Sequence, residues 1–195
     1  MAATPVVTLT PSTIVTIIIF FSSAFVLANS EQFARELHRN KLDQKREKLT
    51  HLHFYFHDIL SGANPTAVDV AQAATTNASA TGFGLVRVMD EPLTESQNLS
   101  SKQVGRAQGI YTSADSRTVG LLMVLNFEFT EGKYNGSTLS LLGRNAVLSG
   151  VREMPIVGGS GLFRYATGYA QAKTREFDPA TGNAIVEYNV FARHY

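Results

Sequence analysis

From residue 50 onward the chain alternates. Leu52, Phe54 and Phe56 interleave with His51, His53, Tyr55 and His57, the two-residue period of a strand with one buried face. In Val119–Phe129, residues Leu121, Met123, Leu125, Phe127 and Phe129 share one parity. Phe83–Met89, Lys102–Tyr111, Ser137–Val147, Phe163–Phe177 and Ala184–Ala192 read as further strands, and Val68–Ala73 as a weaker one. Turn signals separate them: Ser61-Gly-Ala-Asn-Pro65, Glu91-Pro92, Ser113-Ala-Asp-Ser116, Glu131-Gly132, Asn135-Gly136, Gly158-Gly-Ser-Gly161 and Asp178-Pro-Ala-Thr-Gly-Asn183. Gly and Asn supply positive φ in tight turns, and Pro fixes φ. Roughly eight strands at hairpin spacing predict an all-β sandwich or up-and-down barrel.

The N-terminal part reads differently. Ile14–Leu27 is an apolar block of fourteen, shorter than the roughly 20 residues that span a bilayer. It predicts a signal peptide over 1–28, cleaved near Ala28. A charged leader, 29–49, follows, with Arg35, Arg39, Lys41, Lys45, Arg46 and Lys48 interleaved with acids. Residues 50–195 form one domain. Asn77, Asn98 and Asn135 open glycosylation sequons, which fits a secreted, extracellular chain. There is no cysteine, so thiol catalysis and thiolate metal sites are excluded. A net charge of +1 gives no field for nucleic acid, and no membrane partner is expected after signal cleavage.

Candidate chemistry concentrates in His51–Gly62. His51, His53 and His57 share a strand face, a spacing that could hold a metal. That face is opposite Leu52, Phe54 and Phe56, so the histidines are read as facing outward or into a subunit contact. Asp58 continues the apolar parity. Buried there, it would suit a general acid; alternatively it caps the turn that follows. Arg152 reads as an ordinary outward arginine, and an inward one would need a carboxylate, phenolate or ligand oxygen. Gly158-Gly-Ser-Gly161 reads as a turn, since no lysine or helical pattern follows it for a phosphate.

Three blocks together resemble the plant dirigent family. They are His53-Phe-Tyr-Phe-His-Asp-Ile-Leu-Ser-Gly62, Val104-Gly-Arg-Ala-Gln-Gly-Ile-Tyr111, and Arg152-Glu-Met-Pro-Ile-Val-Gly-Gly-Ser-Gly161 with Phe163 and Ala166-Thr-Gly168. The resemblance covers about residues 50–195. It implies an eight-stranded antiparallel β-barrel, secretion to the apoplast, a homotrimer, a small phenolic substrate or intermediate, and no cofactor. It also implies pocket roles. Asp58 would give or accept the proton, Arg152 would anchor a phenolic or carbonyl oxygen, and Tyr111 would form a hydrogen-bonding wall. Thr174 matches a pocket threonine on spacing. Asn145 stands where lignan-forming members carry a second aspartate, and the cysteine pair of those members is absent. The chain therefore resembles the cysteine-free, defence-associated branch, which includes pterocarpan-forming enzymes.

Three functions follow from the resemblance. The leading one is stereoselective guidance of phenoxy-radical coupling or quinone-methide reactions, alongside a laccase or peroxidase. The second is a cofactor-free dehydratase and cyclase that forms pterocarpans from isoflavanols, with Asp58 assisting departure of the hydroxyl. The third is a non-catalytic barrel that binds a small molecule or wall polymer. Whether the chain is an enzyme is left open by its sequence.

Overall fold

The computed structural model describes residues 46–195. The signal-peptide expectation and the leader up to residue 45 lie outside the described residues. Among the described residues there are nine strands: β1 (Lys48–Asp58), β2 (Ala67–Ala71), β3 (Val86–Thr94), β4 (Gln103–Ser113), β5 (Leu121–Phe129), β6 (Thr138–Asn145), β7 (Arg152–Ser160), β8 (Thr167–Phe177) and β9 (Ala184–His194).

Eight of them close a ring in the order β1-β9-β8-β7-β6-β5-β4-β3, all antiparallel, with β3 returning to β1. The expected eight-stranded antiparallel barrel is what forms. Closure is unequal around the ring. β1 pairs with β9 along its whole length, from Lys48↔His194 to Asp58↔Ala184. It meets β3 at only Tyr55↔Thr94 and Phe56↔Leu93. Beyond that short seam β3 takes β2 as its partner instead, from Ala67↔Met89 to Ala71↔Val86.

The inward parity of each strand fills the barrel. Phe54, Phe127 and Tyr188 are buried against one another: Phe54 and Phe127 meet edge-on at 5.1 Å, and Phe127 and Tyr188 at 5.4 Å. Such edge contacts are favoured by the ring quadrupoles and add about 0.5–1.5 kcal/mol each beyond burial. One end of the barrel is plugged by Phe129, Tyr134, Phe163 and His194, with Tyr134 stacked on Phe163 at 4.9 Å. The register sets the opposite end. Asp58 finishes β1, Asn145 finishes β6, Arg152 begins β7, and Tyr111 lies near the close of β4. Polar side chains therefore gather at the end away from the plug.

Two turn readings are corrected. Glu91-Pro92 lies inside β3, and Gly158-Gly-Ser160 closes β7 before a 3-10 turn at Gly161–Phe163. In β7, Arg152, Met154 and Ile156 point inward while Glu153 and Pro155 point outward. Proline and paired glycines hid this strand from a pattern reading. Pro92 finds room because β3 lies where the sheet forks between β1 and β2.

Gly168 sits in β8 at φ +150°, where a Cβ would lie 2.0 Å from the Phe191 carbonyl oxygen of β9. Gly168→Ala is expected to destabilise the barrel by roughly 2 kcal/mol or more. Chemical denaturation would read this as a lower midpoint with an unchanged slope.

Candidate functional site

Two polar stations occupy the end away from the plug. The first begins with Asp58, which is on the inward parity as expected. Tyr111, 4% exposed, donates its hydroxyl hydrogen to the Asp58 carboxylate and lies 3.2 Å from both oxygens. Arg87, paired with Tyr111 across β3 and β4, holds its guanidinium 5.7 Å from the Tyr111 ring centroid and is salt-bridged to Asp69. Burial raises the Asp58 pKa, and the Tyr111 hydroxyl, Arg87 charge and Glu91 side chain only partly counter that rise. Burial also drives the Tyr111 phenol far above its ordinary value, with the Asp58 charge adding to the effect. Tyr111 therefore remains a neutral donor.

Glu91 belongs to this station, and the sequence reading missed it. The pattern reads it as part of a turn, whereas it lies within β3. Asn145 still holds no carboxylate, but Glu91 supplies one at another position. Glu91 is fully buried on the inward parity of β3, between Met89 and Leu93. Thr66 donates a hydrogen bond to its Oε2, and the β1–β3 register, Tyr55↔Thr94 and Phe56↔Leu93, continued by two residues sets Glu91 opposite Asp58. Its pKa is pushed up to about 8, chiefly by burial and further by the Asp58 charge, against the Thr66 hydrogen bond. The available signal was parity: Arg87, Met89, Glu91 and Leu93 alternate as a strand does.

The second station is built on Arg152, which faces inward and is 4% exposed. Its Nε donates to Asn145 Oδ1 at 3.0 Å, and its Nη1 donates to Thr174 Oγ1 at 2.9 Å. Three of the expected site residues thus form one hydrogen-bonded unit across β6, β7 and β8. Both partners are neutral. Burial lowers the Arg152 pKa, yet a guanidinium stays charged at any ordinary pH. The station therefore presents a buried positive charge without a carboxylate, which suits a phenolate or a polarised carbonyl oxygen.

The stations are three strands apart around the ring. Asp58 is held by Tyr111, and Arg152 by Asn145 and Thr174. Both act on the buried Tyr188, whose pKa is pushed up to about 12 by burial, with Arg152 lowering it and Asp58 raising it. A cavity of about 430 Å³ has Asp115, Arg117, Leu121 and Arg144 in its wall, and no residue of either station lines it. Leu121 is paired with Asn145.

The histidines lie away from both stations. His51 bonds Asn189 at 2.8 Å and stacks on Phe191, and His53 bonds Glu187 at 2.9 Å, all on the outer face. His57 is buried, with Nε2 2.7 Å from Thr94 Oγ1, and burial lowers its pKa. Asn77, Asn98 and Asn135 are exposed.

Residues 49–193 match the family model described as dirigent-like protein. The chain is 54% identical over 171 residues to dirigent protein 21 of Arabidopsis thaliana, covering 88% of this chain and 90% of that one. It is 52% identical over 152 residues to pterocarpan synthase 1 of Glycyrrhiza echinata, covering 77% and 81%. Among solved structures, the pterocarpan synthase dirigent protein GePTS1 superposes with a TM-score of 0.73 at 48% identity, over 84% of this chain and 98% of that one.

Proposed function

This chain belongs to the dirigent family, and we propose that it is a cofactor-free dehydratase and cyclase that converts an isoflavanol to a pterocarpan. The observation that carries this reading is the pair of stations: a carboxyl with a raised pKa and, apart from it, a buried guanidinium with only neutral partners. The relatives named pterocarpan synthase favour it over guidance of radical coupling, the reading that led from sequence.

In this mechanism Arg152, held by Asn145 and Thr174, takes the phenolic oxygen and stabilises negative charge there. Asp58 in its carboxylic-acid form, which burial favours, gives its proton to the departing hydroxyl. The carbon–oxygen bond breaks, water leaves, and the phenolic oxygen becomes the carbonyl of a quinone methide as its own proton passes to solvent water. A second phenol hydroxyl of the same molecule then attacks the electrophilic carbon and passes its proton to the Asp58 carboxylate. The carbonyl oxygen takes a proton back from solvent water, so the net change is loss of one water. The barrel wall fixes which face is attacked.

Purified protein incubated with isoflavanol stereoisomers, with no oxidase, is expected to yield pterocarpan on chiral chromatography. Product control seen only with monolignols and an oxidase would replace this reading by radical guidance. No change in either assay would leave a binding barrel.

The same reading includes secretion, occupied sequons and a homotrimer. Support for self-association comes from Val88, Ile110, Val124 and Leu142, cross-strand neighbours in one row over the outer face of β3 to β6. Val88, Ile110 and Leu142 are each more than a third exposed.

A further inference from the structure

Glu91 is absent from the mechanism above, and its surroundings demand an account. Its carboxyl is wholly buried, and Oε1 has no hydrogen-bond partner among the described residues. Oε2 is satisfied by Thr66. The side chain set opposite it, by continuing the β1–β3 register from Phe56↔Leu93, is another carboxyl on the inward parity, that of Asp58. Two carboxylates cannot share such a contact, because both are acceptors and both are negative; a proton between them turns repulsion into a hydrogen bond. Among the described residues the one cation beside the pair is Arg87, which is already committed to Asp69 on β2. The other groups facing the pair are the Tyr111 hydroxyl from β4 and, from the segment after β1, the Ile59 N–H and the Thr66 hydroxyl. Each is a neutral donor.

We propose that Glu91 is a positioning residue that keeps its proton through the catalytic cycle and donates it as a hydrogen bond to Asp58. This rests on the dehydratase reading for its consequence, though not for its existence. When Asp58 releases its proton to the leaving hydroxyl, the new carboxylate is met by Tyr111 on one side and by the Glu91 O–H on the other. Glu91 thereby stabilises the ionised form of Asp58 as it appears, without adding charge beside it. Asp58 takes its proton back from the attacking phenol, and Glu91 never gives up its own.

The test has an arm independent of turnover. In protein carrying carbon-13 at the glutamate carboxyls, one resonance should titrate with a midpoint near 8. It should vanish in Glu91→Gln and move to lower pH in Asp58→Asn, where the neighbouring charge is gone. All glutamates titrating in the ordinary carboxylate range would overturn the proposal. In the activity arm, Glu91→Gln still donates from its amide. It should retain roughly tenfold more turnover than Glu91→Leu, and its pH–rate profile should lack the upper ionisation. A folded Glu91→Gln as inactive as Asp58→Asn would instead make Glu91 the proton donor itself and sink the positioning role. A midpoint near 8 in a protein that forms no pterocarpan would reject the dehydratase reading and leave the carboxyl pair standing.

Discussion

Asp58→Asn is expected to cut isoflavanol turnover by a factor on the order of 10²–10⁴, the usual contribution of a positioned acid or base. Asparagine keeps the size of the side chain and can still accept from Tyr111, so binding should weaken far less than turnover. The same substitution should raise stability at alkaline pH. Both carboxyls have folded pKa values above their unfolded ones. The folded state therefore holds protons that the unfolded chain has already lost, and stability falls as pH rises through that window. For Glu91 the window runs from the ordinary 4.5 to about 8. Removing Asp58 removes one such loss and eases the other. Thermal unfolding of wild type and Asp58→Asn at pH 5 and at pH 8 checks this, with the variant gaining at the higher pH. Turnover within a factor of two of wild type would remove Asp58 from the chemistry.

Arg152→Leu is expected to reduce kcat/KM by about a hundredfold, the loss typical of one charge-stabilising contact, while leaving the fold intact or more stable. A buried charge costs several kcal/mol in desolvation, and here no opposite charge repays it. Asn145 and Thr174 offer only dipoles. Such an arrangement is poor for stability and suited to an incoming anion. Leucine fills much of the space without the desolvation cost, although it leaves two polar atoms to find water. A kinetic loss accompanied by an equal or higher Tm supports this account. A large fall in Tm would show that Arg152 is there to hold β6, β7 and β8 together.

The sequence was most legible where alternation was clean. β1, β5 and β9 carry large apolar residues on one parity, and those strands form close to where the pattern places them. Asp58 could be found because it continues that parity. Arg152 faces inward through the parity of Met154 and Ile156, yet its strand carries Pro155 and two glycines, residues that usually mark turns. Its inward role therefore came from resemblance. Glu91 was hidden by the same effect at Pro92. Proline is tolerated there because β3 forks between two partners, a tertiary circumstance that no local window contains. Linkage within the second station was equally out of reach: Asn145, Arg152 and Thr174 come from three strands, and only the register brings their polar atoms within 3.0 Å.

The long β1–β9 ladder has a consequence for how the protein is made. Lys48 pairs with His194, so the first strand of the barrel waits for the last before it has a full-length neighbour. Almost the whole chain must be synthesised before that ladder can form, and closing so long a loop is slow. Until then β1 offers Phe54 and Phe56 on an unpaired edge, the kind of segment that seeks other chains. Asp58 takes its place opposite Ala184 only in the final pairing. A nascent barrel therefore acquires its acid at the moment it closes, and a chain stalled before β9 would be sticky and inert together.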